Sequence, residues 1–116
     1  MRKLKVIQTS RDQVVNANSL FFQALANNIR TNIILYLQKN GSRNVSSISN
    51  DLGIEQTQVS HNLKCLASCG FVNVSREGKS RIYSVNQETV PALLKIVDRH
   101  LNKYAANLYT CERLER

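Results

Sequence analysis

Residues 44–70 read NVSSISNDLGIEQTQVSHNLKCLASCG, and residues 71–85 continue FVNVSREGKSRIYSV; the fold is decided here. Asn44 is a capping residue type, and Val45, Ile48 and Leu52 follow at i, i+3 and i+7, one face of a short helix. Gly53 ends that helix. A second helix is expected from near Glu55 to Gly70, with Val59, Leu63, Leu66 and Ala67 on its apolar side and Cys65 and Cys69 beside them. Two helices joined by one glycine-containing turn, Leu52-Gly53-Ile54-Glu55, form a helix-turn-helix signature. The apolar period then shortens from about 3.6 to about 2. Residues 71–76 read as a strand, Glu77-Gly78-Lys79 as a turn whose glycine accepts positive φ, and residues 80–85 as the return strand. A hairpin placed directly after a helix-turn-helix is a wing.

Upstream, residues 12–26 carry Val14, Val15, Ala17, Leu20, Phe21, Phe22 and Leu25, a helix with a broad apolar face. Asn27-Asn28 interrupts it, and Asn27 caps a helix over 29–39 that buries Ile33, Ile34, Leu35 and Leu37 before Asn40-Gly41 stops it. Residues 1–11 hold four basic groups and no acid, a basic arm with Lys3, Lys5 and Arg11. Downstream, Val90, Leu93, Leu94, Val97, Leu101, Tyr104, Ala105 and Leu108 make one stripe along a long helix, which Pro91 starts somewhere within 86–91. A small helical core cannot cover that stripe and the first helix together, and a large exposed apolar patch marks an interface. A homodimer through residues 12–26 and 90–110 is therefore expected. The fold expected is mainly α with a β-hairpin wing, in the order ααααββα, as one domain over residues 1–116.

The chain has 116 residues, 42% apolar and 21% charged, with one proline and four glycines, which excludes collagen-like and linker-rich chains. No run reaches the ~18 apolar residues of a membrane span. The basic start runs into polar Gln8-Thr9-Ser10 with no apolar stretch of a signal peptide, so a cytoplasmic location without membrane partners is expected. Sixteen Lys and Arg against eight Asp and Glu leave +8, the balance of a polyanion binder. The excess is local as well: residues 56–85 hold four bases and one acid, Glu77. A recognition helix reads base edges from exposed residues of its N-terminal half. Here those are Gln56, Thr57, Gln58, Ser60 and His61, with Lys64, Arg76, Lys79 and Arg81 as phosphate contacts beside and on the wing. No nucleotide-binding glycine loop, Gly-x-Ser-x-Gly or His-Glu-x-x-His occurs, so no enzyme is expected. The competing class is a winged helix that binds protein or RNA.

As a set these segments resemble the ArsR/SmtB family of winged-helix repressors. Ala24-Leu25-Ala26-Asn27-Asn28-Ile29-Arg30 resembles its ALADPTR segment, Leu52-Gly53-Ile54 through Val59-Ser60-His61-Asn62-Leu63-Lys64 its LGLSQSTVSHHLK, and Gly70-Phe71-Val72 with Arg76-Glu77-Gly78-Lys79 its GLV and REGR. The likeness spans roughly residues 20–105 and implies a dimeric, operator-binding repressor, often with a metal effector. Asn27-Asn28-Ile29 departs from Asp-Pro-Thr, and Glu55 departs from a serine cap and is the weaker capping residue.

The family's metal sites transfer residue by residue. Its Cys-Val-Cys site falls on Asn44-Val45-Ser46, which has no thiolate. Its carboxylate–histidine site falls on Gln87, Thr89, His100 and Lys103, of which His100 alone survives. Lys64-Cys65-Leu66-Ala67-Ser68-Cys69-Gly70 instead resembles the recognition-helix segment of CmtR-type cadmium/lead sensors, a likeness that implies a third thiolate from Cys111 of the C-terminal tail. Residues i and i+4 hold Cβ atoms ~5 to 6 Å apart, too far for an unstrained disulfide at ~3.5 to 4.5 Å. All-thiolate sites select soft ions, here cadmium, lead or zinc. Two other readings stay open: cysteine as a small core hydrophobe at both positions, and a thiol redox-responsive regulator without metal.

Overall fold

The computed structural model describes residues 10–114. The chain divides into two compact units, residues 1–85 and 86–116. The arm expected over residues 1–11 lies outside the described residues up to residue 9; beyond that it is corrected, because Ser10 caps a helix and Arg11 is that helix's first residue.

The first unit runs α1 (Arg11–Leu25), α2 (Asn28–Asn40), β1 (Arg43–Asn44), α3 (Val45–Leu52), α4 (Gln56–Ser68), β2 (Val72–Glu77) and β3 (Ser80–Val85). Local chemistry sets most of these limits. Ser10 accepts from the Gln13 amide, Asn27 from those of Ile29 and Arg30, and Asn44 from that of Ser47, each relieving a helix N-terminus of orphan donors. Gly53 closes α3 at φ +67°, a left-handed backbone that costs a side chain dearly. The Gly53 and Ile54 amides both donate to Ser49 O, and Ser49 Oγ donates back to Ile54 O at 2.5 Å, which locks the turn between α3 and α4.

Ile33, Leu37, Ile48, Val59, Leu63 and Leu66 are fully buried, joining α2, α3 and α4 into one core. Burial of each such side chain stabilises by about 1.5 to 3 kcal/mol. Leu35 departs from expectation: it is 50% exposed, since Ile33, Ile34 and Leu37 already fill the inward arc of α2. The sheet also has three strands rather than a bare hairpin, in the order β1-β3-β2, all antiparallel. The added strand is two residues long and pairs Arg43 with Tyr83 and Asn44 with Ile82. Val72, Tyr83 and Val85 turn one sheet face into the core. Among the described residues every buried side-chain nitrogen and oxygen has a hydrogen-bond partner.

The second unit is α5 (Val90–Tyr109) and the tail after it. Pro91 sits in its first turn, where a missing amide costs nothing, and the start lies inside the expected window. Among the described residues no helix is long and apolar enough to cross a membrane.

Candidate nucleic-acid interface

α4 turns Val59, Asn62, Leu63 and Leu66 inward, which leaves the other side of its first two turns outside. Gln56, Thr57, Gln58, His61 and Lys64 are exposed; Ser60, expected to be exposed, is half-buried because it flanks the inward arc. Glu55, the N-cap, makes no side-chain cap bond, and its Oε1 accepts from Thr57 Oγ1 at 2.8 Å. Gln56 Nε2 donates to Ser46 Oγ of α3 at 3.1 Å, so that amide is held across the two helices. Gln offers the bidentate edge that suits adenine, and Thr, Ser and His adapt to several bases.

The wing adds cations by register. Arg76 and Arg81 are direct cross-strand partners, as are Val74 with Tyr83 and Val72 with Val85. Alternation puts the two arginines on the same sheet face as buried Val72, Tyr83 and Val85 and as Val74, which is already exposed where the core ends. Like charges directly opposite repel by roughly 0.2 to 1 kcal/mol, a repulsion that a polyanion between them would relieve. Gly78 turns the tip at φ +62° and leaves Lys79 exposed beside it.

The thiols are divided between the units. Cys65 is half-buried in α4, and Cys69 is its exposed C-cap, so core packing accounts for the first and not for the second. Partial desolvation of the sulfur, then the charge and hydrogen bond of the Cys65 thiol, raise the Cys69 pKa, and the Arg30 guanidinium opposes them. The two thiols lie four residues apart at the end of one helix and share its face. Cys111 follows α5 in the second unit, half-buried, in a groove of about 300 Å³ lined also by His100, Tyr104, Asn107, Leu108 and Leu114. Among the described residues no three His, Cys, Asp or Glu side chains come together around one point.

Both helices expected at a dimer interface keep many apolar residues outside, although Val90 is buried and Leu25, Leu93, Leu94 and Ala105 are half-buried. Val15, Leu20 and Phe22 of α1 are 57–61% exposed, and Ile96, Val97, Leu101, Tyr104 and Leu108 of α5 are exposed too. Sequence reasoning gave no role to Arg30 and Asn62, whose side chains meet at 3.0 Å across 32 residues, and no local signal marks that pairing.

Known proteins place this geometry. The signature described as "Bacterial regulatory protein, arsR family" matches residues 27–74, from the cap of α2 into the wing. A "Probable mercury resistance operon repressor" of Streptomyces lividans is 34% identical over 94 residues, 81% of this chain and 74% of that one. The crystal structure of Rv0081 from Mycobacterium tuberculosis superposes with a TM-score of 0.75 at 26% identity, covering 84% of this chain and 97% of that one. The solution structure of a homodimeric winged helix-turn-helix DNA-binding domain, Mb0332 of Mycobacterium bovis, gives 0.65 at 27% identity over 100% of this chain and 96% of that one. With its recognition helix, basic wing and these relatives, the chain belongs to the arsR family of bacterial regulatory proteins and is a winged helix-turn-helix, DNA-binding transcription regulator.

Proposed function

We propose that this regulator is a repressor that binds an inverted-repeat operator as a homodimer and leaves it when a soft metal ion binds. The observation that carries the DNA reading is the pairing of an exposed α4 N-terminal half with the opposed Arg76 and Arg81 of the wing. Gln56, Thr57, Gln58, Ser60 and His61 read bases in the major groove, and Lys64, Arg76, Lys79 and Arg81 meet phosphates. The homodimer is supported by the exposed apolar residues of α1 and α5 and by the homodimeric relative. A protein- or RNA-binding winged helix would show no dependence on a DNA palindrome.

The donors fit a soft ion. Cys65 and Cys69 are thiols four residues apart on one helix, a spacing that suits two sulfurs sharing one large soft ion. The mercury resistance name of a relative points to the same class of ion. Cys65 and Cys69 would hold it, and the resemblance to cadmium/lead sensors implies that Cys111 of the partner subunit completes the set. A bound ion would have to favour the DNA-free state by about 2.7 kcal/mol to lower operator affinity a hundredfold. Within this chain the thiol pair ends the helix whose other end carries the readers, so a change in its last turn is passed to the reading residues.

The test is a DNA-binding titration on a selected operator with and without Cd²⁺, Pb²⁺, Zn²⁺ and oxidant. Metal should weaken binding and give an ultraviolet thiolate charge-transfer band that falls in Cys65→Ser, Cys69→Ser and Cys111→Ser alike. Wild-type metal affinity in all three variants refutes the metal reading. Release by oxidant alone, with no metal response, replaces it with thiol redox control.

A further inference from the structure

Little packing holds α1 to its unit. Ala24 is its buried side chain, and Phe21 meets Phe71 with ring centroids 5.1 Å apart. Arg30 adds a fork. Its Nε donates to Ala24 O at 2.5 Å, its Nη2 to Gln23 O at 3.4 Å, and its Nη1 to Asn62 Oδ1 at 3.0 Å. The two carbonyls belong to the last turn of α1, and Gln23 O accepts from the Ala26 amide as well. Asn62 is 7% exposed in the middle of α4, and its Nδ2 donates to Gln58 O at 2.8 Å, so its amide is fixed from both sides. A guanidinium is planar with donors in a rigid fork. It therefore sets the end of α1 and the middle of α4 in one relation, where an apolar side chain would only fill space.

We propose that Arg30 is a positioning residue for DNA recognition: by tying the end of α1 to Asn62, it sets the recognition helix relative to a helix of the dimer interface, and so the half-site spacing that two copies match. The proposal rests on the dimeric operator-binding reading above. One base pair turns a half-site by about 34° around the duplex axis, so a rigid link makes spacing matter. A loose link lets each recognition helix follow its own half-site.

The experiment selects the operator with wild-type protein, then measures affinity on versions with the half-sites one base pair closer or farther apart. Circular dichroism and sedimentation are run on every variant. Wild type should bind about tenfold or more weakly on either change, the factor of ~1.4 kcal/mol. In folded, dimeric Arg30→Lys and in Asn62→Ala that penalty should shrink to about threefold or less, with non-specific DNA affinity unchanged, and the double variant should add nothing. A residue that only stabilised each chain would leave the spacing penalty as it was. A wild-type penalty in both variants, or variants that fail to fold, overturns the proposal alone. A wild-type protein that selects no inverted repeat overturns the functional reading together with it.

Discussion

Arg81→Gln should stabilise the free protein and weaken its grip on DNA. Arg81 stands directly opposite Arg76 on an exposed part of the hairpin. Cross-strand charge pairs are worth roughly 0.2 to 1 kcal/mol, and the sign here is repulsive. Removing one charge while keeping a polar stem should raise the melting temperature by about 1 to 5 °C for a domain of this size. On DNA the sign reverses. Each neutralised phosphate adds ~0.9 to the slope of log K against log salt, so a dimer that gives up one phosphate per wing has a slope smaller by ~1.8. From 50 to 200 mM salt, wild-type affinity should then fall about tenfold more than that of the variant. The assays are thermal unfolding without DNA and fluorescence anisotropy across a salt series on operator and on scrambled duplex. Both duplexes should be affected alike, because a phosphate interaction carries no base information. An unchanged salt slope, or weakening on the operator alone, would refute the assignment of Arg81 to the phosphates.

Gln56→Ala and His61→Ala should instead reduce the preference for operator over scrambled duplex by ~1 to 3 kcal/mol for each well-made base pairing that the substitution removes, measured by competition binding. Leu101→Glu should leave the fold intact, since Leu101 is 39% exposed, yet shift sedimentation toward monomer and weaken operator binding with it. Leu63→Ala should cost about 2 to 5 kcal/mol in chemical denaturation, because Leu63 is wholly buried in the core behind the reading residues. Tyr36 donates a hydrogen bond to Asp51, and that bond first, with desolvation and the Asp51 charge after it, holds its phenol above the ordinary value near 10. The stability tied to that proton is in place at neutral pH and is lost as pH rises through the raised pKa. Asp51→Asn should bring the phenol back down, read as an earlier ultraviolet transition in alkaline titration.

Much of the first unit was legible because its signals are local. Asn27 and Asn44 cap amides two or three residues away, Gly53 supplies the one backbone shape the turn requires, and a two-residue period marks the hairpin within its own length. The exposed half of α4, apart from half-buried Ser60, follows from helical spacing alone, and so does the shared face of two thiols four residues apart. Other features depend on partners far along the chain. β1 has no signature of its own, since two residues become a strand through pairing with Tyr83 and Ile82, and Asn44 looks like a cap because it is one as well. Leu35 shares its helix with three buried apolar residues, and only the directions of the neighbouring helices decide that it stays outside. Arg30 reads as one more cation in a basic chain; its use as a fork exists only once folding brings Asn62, 32 residues on, against the end of α1. Capping and periodicity act over a few residues and are written in them, whereas burial, strand pairing and the grip of a guanidinium belong to surfaces that no segment makes alone.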